Sequence, residues 1–557
     1  MARMESFGVS RVIRPSGDAA LLVELGDRLA PEVAQRVRAM DAAVATSGLA
    51  GLRERVPGYT TLLCEYDPLR VDVWALAERL AALRRAVLAE SAGSGGQPGR
   101  QVRVPVAYGG AFGPDVAEVA ALHGLSEAEV IERHAGRRYL VYFLGFSPGF
   151  AYMGEVDGRI ATPRRAPPRT RVPEGSVAMA AAMTGVYPAA TPGGWRILGR
   201  TPWPVYDPGA AEPALFRQGD EVSFEPISAA AFQELAAAKR PVALPEPWDG
   251  QPAFHVVRPG PLTTFQDLGR AGHQAIGVPV AGAADPPALR LANRLVGNPD
   301  SAAALEITVM GPTLAAVREV AVALCGADLG ASIEGERLPP GQVALLQRGQ
   351  ELRFRGPVSG CRCYLAVAGG FLVPPVFGSA SADLLGRLGP RPLQAGDELF
   401  AAEAAPRAVK GRRLRPGAYT LPPAGELEVA VVPGPQEDWF AEAERFYGGA
   451  YGVLPASDRT GLRLDGAAVH PRAGELLSEA TPLGSIQVPS DGKPIVLLAG
   501  RQTVGGYAKI GVVCTPDVWR LAQVRPGAAR LRFRPVGLAE AHAHYRAALL
   551  DDGAVQD

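Results

Sequence analysis

Lysine is scarce. Of 57 basic residues only four, Lys239, Lys410, Lys493 and Lys509, are lysines. In an alanine-rich chain this reads as a chain-wide preference for arginine, and it makes each surviving lysine conspicuous. Net charge is absent as well, because 57 acids balance 57 bases. A basic footprint for nucleic acid or acidic membrane is therefore excluded. The five cysteines, Cys64, Cys325, Cys361, Cys363 and Cys514, form no CxxC pair. An odd set without that spacing excludes a disulfide framework and reads as reduced thiols in a cytoplasmic protein. Cys361 and Cys363 lie two apart in an apolar strand and share a face. No apolar run approaches the ~18 residues of a membrane span. MARMESFGVSRVIRPSGD lacks an apolar signal-peptide core.

Catalytic signatures are equally thin. GFSPG (145–149) matches Gly-x-Ser-x-Gly. The residue after the serine is Pro148, which has no N–H for an oxyanion, and FAYMG reads as strand rather than helix. Ser147 as a nucleophile is rejected. No Walker loop is present, since Gly492-Lys493-Pro494 lacks the upstream glycine and its proline cannot continue into a helix. Seven histidines include no His-Glu-x-x-His, and His542 and His544 diverge on a helix, which argues against zinc.

What the chain does have is length, glycine and proline. At 557 residues, with 66 glycines and 51 prolines dispersed throughout, it is expected to form several domains of short strands and turns. Residues 1–92 read as an α/β domain, with a strand at 18–25 and helices at 31–46 and 71–90. Residues 101–240 read as short strands interrupted by one helix near 126–135. Linkers are expected at 93–100 and 241–252. Two more β-rich units follow, at 253–401 and 418–545. The first holds a helix capped by Asp285, with Pro286 and Pro287 in its first turn. Residues 402–417 read as a surface crossing, and the tail after 538 as a short amphipathic helix. The fold class is α+β, mainly β.

One signature occurs twice. PGGWRILGRTP (192–202) and QTVGGYAKIG (502–511) share Gly-Gly-aromatic-x-x-apolar-Gly: Gly193, Gly194, Trp195, Gly199 and Gly505, Gly506, Tyr507, Gly511. A Gly-Ser-β-branched triplet precedes each. Two related units facing one shared site would explain the repeat, and so would two unrelated barrel corners.

Other segments carry charge in suggestive places. PRRAPPRTR (163–171) stiffens Arg164, Arg165, Arg169 and Arg171 for carboxylate or phosphate, or forms a solvated basic loop. GPLTTFQDLGRAG (260–272) sets Thr264, Gln266, Asp267 and Arg270 in a ligand-binding or Asx-type turn. Asp285 reads as a helix cap rather than an acid or base. Glu306, on an apolar strand, needs an arginine partner or a function. Arg459 could serve a site or an internal salt bridge. Lys509 suits phosphate or carboxylate, against a plain surface position.

Longer motifs resemble a known family. YGGAFGPD (108–115), FLGFSPGFAYMG (143–154), PRRAPPRTRVPEGSVA (163–178) and PGGWRILGRTP look like the B subunit of bacterial 5-oxoprolinase, the KipI or allophanate hydrolase subunit 1 type. GPLTTFQDLGRAG, NRLVGNP (293–299), SDRTGLRLDG (457–466), GSIQVPSDGKPIVLL (484–498) and QTVGGYAKIG look like its C subunit, the KipA type. The resemblance covers about 8–230 and 253–535, so the chain looks like a B–C fusion. It implies cyclophilin-like barrels around a shared cleft. It implies an enzyme component that opens 5-oxoproline to glutamate with ATP, Mg²⁺ and the separate 5-oxoprolinase A subunit. Arg270, Glu306, Arg459 and Lys509 would be catalytic, with Glu306 and Asp267 serving Mg²⁺. Arg164, Arg169, Gly193, Gly194, Trp195, Gln266, Asp267, Gln487, Thr503, Gly505, Gly506 and Tyr507 would bind substrate. A carboxyltransferase with a separate biotin carrier and a KipI/KipA-type kinase regulator are the alternatives, and a homo-oligomer stays open. Five positions depart from the family pattern: Ala111, Met183, Ala380 and Ala382 replace polar or charged residues, and Ala508 replaces a proline.

Overall fold

The computed structural model describes residues 12–91, 99–238, 251–472, 474, 476–549, 551 and 553–556. Most of the two expected linkers lies outside the described residues. The N-terminal part is an antiparallel sheet in the order Ile13–Pro15, Ala20–Glu24, Thr61–Tyr66, Leu52–Pro57. Helices Pro31–Thr46 and Val73–Ser91 pack together beside it. Val33, Val37, Met40 and Val44 recur at helical spacing and are all buried, which is why the first helix lies on the sheet.

Two closed seven-stranded barrels follow at opposite ends of the remaining chain. The first uses Gln101–Tyr108, Arg138–Leu144, Ala151–Gly154, Ser176–Ala180, Met183–Val186, Arg196–Arg200 and Glu221–Pro226. The second uses Glu426–Pro433, Tyr451–Val453, Gly461–Asp465, Ser485–Val488, Ile495–Leu497, Ala508–Val513 and Arg530–Pro535. Counted in chain order, both pair their strands as fourth, fifth, third, second, seventh, first, sixth and back to fourth. In both, the first and last strands run parallel. Each barrel also carries a two-stranded ribbon at the same place, Arg169–Val172 with Thr191–Gly193 and Glu479–Ala480 with Val504–Gly505. The repeat is thus a duplication of one barrel. The last glycine of each motif is fixed sterically: a Cβ on Gly199 would collide with Val106, and one on Gly511 with Val431, both on the first barrel strand.

Between the barrels lies a unit of two facing sheets, six and five strands wide. The long central strand Val320–Asp328 shows why. Val320, Val322 and Leu324 enter the core between the sheets, while Ala321, Ala323 and Cys325 face helix Pro286–Leu295 on the outer side. Asp285 caps that helix, its carboxylate accepting the Ala288 N–H at 3.1 Å. The mainly β, α+β class expected from sequence holds.

One expectation needs correcting. The first barrel carries two helices between its first two strands, Val116–His123 as well as Glu127–Ala135. The second announces itself by a capping box, Ser126 with Glu129. The first is only two turns long, and Asp115 at its start makes no cap, because its carboxylate is engaged elsewhere.

Candidate functional site at the junction of the barrels

The loop Gly145–Gly149 is where the parts of the chain meet. The Gly149 N–H donates to the Ile276 carbonyl at 2.9 Å. A Cβ on Gly145 would lie 2.5 Å from Val504, and one on Gly386 would lie 3.0 Å from Pro148. Three units therefore converge on five residues. Strand Ala151–Gly154 follows directly, so Ser147 sits on no strand-to-helix elbow. It is buried, and its hydroxyl has no partner among the described residues.

On one side of this loop stands Arg270, 1% exposed. Its guanidinium donates to the carbonyls of Val376, at 3.2 Å, and Ser381. Among the described residues its Nη1 has no partner. Burial lowers its pKa, while the charges of Asp383, Asp267 and Tyr206 act in the opposite sense. The Tyr206 hydroxyl is likewise buried without a partner among the described residues. Asp383 is buried and its pKa is raised by that burial. Asp267 supports this side as a scaffold. Its carboxylate accepts from the Ser379 and Ser381 hydroxyls, each at 2.6 Å, and from the Gly269 and Ala380 N–H groups. The segment with alanine at 380 and 382 thus keeps the two serines that hold Asp267. Gln266 is fully buried, donates to Thr264 and to the Ala382 carbonyl, and has no partner for its Oε1 among the described residues.

On the other side stands the second barrel's polar cluster. Lys509 is 0% exposed and pairs with Glu479. Gln436 bridges them, donating to Glu479 at 2.7 Å and accepting the Lys509 N–H at 3.2 Å. A surface position for Lys509 is ruled out by its burial. Across the strand pairing from Lys509 lies Gln487, whose Nε2 is buried and has no partner among the described residues; the same is true of the Thr503 hydroxyl. Gly505 lies under Gln487, whereas Gly506 and Tyr507 are exposed.

Glu306 and Arg459 come together, but as a pair with each other. Arg459 binds Glu306 and donates to the Gly282 carbonyl at 2.6 Å. Glu306 also accepts from the Tyr364 hydroxyl at 2.7 Å and the Ala284 N–H at 2.9 Å. Burial alone would raise the Glu306 pKa, but Arg459 and Arg362 hold it below the usual range. This network clamps the second barrel to the central sheets. Both its carboxylate oxygens are taken up, as are those of Asp267. Glu306 and Asp267, the two residues expected to serve Mg²⁺, thus stand in separate networks, each with hydrogen bonds from the protein on both carboxylate oxygens. Among the described residues no three His, Cys, Asp or Glu side chains converge on a metal position.

The first barrel's chosen residues make most of their contacts within that barrel, and Trp195 belongs to the apolar cluster that reaches Ala480 and Val504. Arg169 forks onto Asp115 at 2.6 and 2.8 Å, and Asp115 also accepts the Ile197 N–H at 2.7 Å. Arg164 is exposed. Trp195 is buried edge-on to Phe150, with ring centroids 5.4 Å apart. A Cβ on Gly193 would strike the Tyr187 hydroxyl, and one on Gly194 would lie 3.4 Å from the Arg165 carbonyl. Met183 packs its sulfur on Tyr59, and Ala111 is exposed. Sequence reasoning missed Tyr206, Asp383, Gln436 and Glu479. The only sequence signal for Glu479 was an acid beside a barrel strand.

Comparison with known proteins follows the same division. Family models of the carboxyltransferase domain match twice, subdomains C and D over residues 11–216 and subdomains A and B over residues 276–535. The two halves are thus of the carboxyltransferase type. The chain is 40% identical over 222 residues to the 5-oxoprolinase B subunit of Bacillus subtilis, a match covering 39% of this chain and 92% of that protein. It is 36% identical over 301 residues to the 5-oxoprolinase C subunit of Escherichia coli K12, covering 51% of this chain and 92% of that protein. The crystal structure of TTHA0988 aligns with 94% of this chain and 100% of its own, at 39% identity and a TM-score of 0.76. The chain belongs to the family of 5-oxoprolinase B and C subunits, with the counterparts of both joined in one polypeptide.

Proposed function

We propose that this chain is the B–C component of an ATP-dependent 5-oxoprolinase, opening 5-oxoproline to glutamate together with a separate A subunit. The observation that carries the reading is Arg270. Of the three cations expected to be catalytic, Arg459 is paired with Glu306 and Lys509 with Glu479. Arg270 alone of the three has no acid partner among the described residues, and its Nη1 has no partner of any kind there. A buried guanidinium with an open donor, at the meeting point of the two halves, suits the carboxylate of a small substrate. The Tyr206 hydroxyl would be a second donor there. ATP, with Mg²⁺, would supply the activation that an unstrained amide needs at neutral pH. No residue of this chain is assigned to either. The five buried, unpaired cysteines suit a cytoplasmic setting.

The test is reconstitution with the purified A subunit, following phosphate and glutamate release. Both products should appear only with ATP. Arg270→Met should lower 5-oxoproline turnover at least about tenfold, mainly through KM. Glutamate formed without ATP, or none formed with ATP and an active A subunit, overturns the reading.

A further inference from the structure

We infer that the ribbon of the second barrel is an amide-recognition subsite, in which Gln487 donates to the carbonyl and Thr503 accepts from the N–H of a lactam. The inference rests on the functional reading above and names the part of the substrate this barrel holds. Gly505 turns one face of its strand toward Gln487, and Thr503 stands two residues before it, its Oγ1 3.3 Å from where a Cβ on Gly145 would lie. Glu479 is the cross-strand partner of Gly505 and shares that face. Gln487 reaches over the same face, because a Cβ on Gly505 would lie 2.5 Å from its Nε2. The glycine thus leaves room for the Gln487 amide.

Two features of this face point to a ligand. Gln487 and Thr503 are each 3% exposed, and Nε2 of the one and Oγ1 of the other lack any partner among the described residues. Buried polar groups are normally satisfied, and leaving one unmade destabilises the fold. The face is also electrically neutral, since Lys509 is held by Glu479. It therefore suits an uncharged group with one acceptor and one donor, which an amide supplies. An anion would find no open cation here, in contrast to the Arg270 side.

The first barrel provides an internal control. Thr191 occupies the place of Thr503, two residues before the glycine pair, and its hydroxyl is also buried with no partner among the described residues. The residue equivalent to Gln487 is Ala178 and that equivalent to Lys509 is Ile197. That barrel offers a hydroxyl alone and cannot satisfy both edges of an amide.

The test is calorimetric titration of the full chain, complexed with the A subunit, by 5-oxoproline and by cyclopentanecarboxylate. The second ligand keeps ring and carboxylate but has no amide. Thr503→Val and Gln487→Met should each weaken 5-oxoproline about tenfold, leave cyclopentanecarboxylate unchanged, and not lower the thermal midpoint. Unchanged 5-oxoproline affinity in both variants overturns this inference alone. So does an equal loss for both ligands, or wild-type protein that binds the two equally. Failure of wild-type protein to bind 5-oxoproline overturns the functional reading and this inference with it.

Discussion

The two barrels share strand order, register and the irregularity within their Gly-Gly-aromatic strands, yet they fill equivalent positions with opposite chemistry. Ile197 faces Ala178 in the first barrel, and Lys509 faces Gln487 in the second. Asp115 receives the Ile197 N–H in one, and Gln436 receives the Lys509 N–H in the other. The aromatic of the motif is buried as Trp195 and 47% exposed as Tyr507. Backbone pairing closes both barrels and tolerates either filling, provided buried charges find partners. The first barrel became a packing platform, with its aromatic cluster set against Ala480 and Val504 of the second. The second kept polar groups, Lys509 and Gln487, at those same positions, on the face of its strands turned away from an apolar interior. Duplication supplied the scaffold, and a few side chains decided which copy faces the junction with open hydrogen-bonding groups.

The largest test of this contrast removes one charge from each barrel. Lys509→Met strands Glu479 in the interior and should cost about 3–5 kcal/mol in urea denaturation. Lys509→Met combined with Glu479→Met should recover most of that loss. Arg169→Met should cost less, about 1–2 kcal/mol, because Arg169 is 22% exposed and Asp115 keeps the Ile197 N–H. Equal costs in the two barrels would erase the distinction.

Next come the paired glycines. Gly193→Ala and Gly505→Ala should each cost about 1–3 kcal/mol by crowding a different neighbour, the Tyr187 hydroxyl in one case and the Gln487 amide in the other. Tyr187→Phe should relieve only the first, and Gln487→Ala only the second. Rescue that crosses from one barrel to the other would show the two positions to be coupled.

The smallest effect is in pH dependence. His134, in the first barrel's core, has its pKa lowered to about 3 by burial. A base depressed in the folded state stabilises above its unfolded value of about 6.5 and loses that contribution as pH falls. Asp18 seats the α/β domain on the second barrel through Thr515, and burial raises its pKa to about 6. An acid raised in the folded state favours folding near its unfolded value of about 3.9 and loses that contribution as pH climbs through 6. Between pH 4 and 6 the two slopes oppose each other, each by about 1 kcal/mol per pH unit. Asp18→Asn should make stability rise more steeply with pH in that range, and His134→Gln should make it fall. Urea midpoints at pH 4.5 and 5.5 decide, and variants whose midpoints shift in parallel would remove both assignments.

Much of the architecture was legible because periodicity and punctuation are local. Helix 31–46, the Asp285 cap and the capping box of Glu127–Ala135 each state themselves within a few residues. Helix Val116–His123 was hidden because its cap residue, Asp115, serves Arg169 across 54 positions of sequence. The site was harder to read for the same reason. Glu306 was recognised as an acid requiring a partner, but its partner Arg459 lies 153 residues away. Tyr206 and Asp383 carry no local mark, since their place beside Arg270 comes from two units packing together.

By itself the sequence determined the mainly β class, the duplicated motif and the set of polar residues worth watching, because propensity, capping and glycine requirements act over short distances. Only the tertiary structure decided which of those residues remain open. Pairing is a matter of distance in space: it matched Arg459 to Glu306 and Lys509 to Glu479, and left Arg270, Gln487 and Thr503 with buried donors or acceptors that no described group of the chain satisfies.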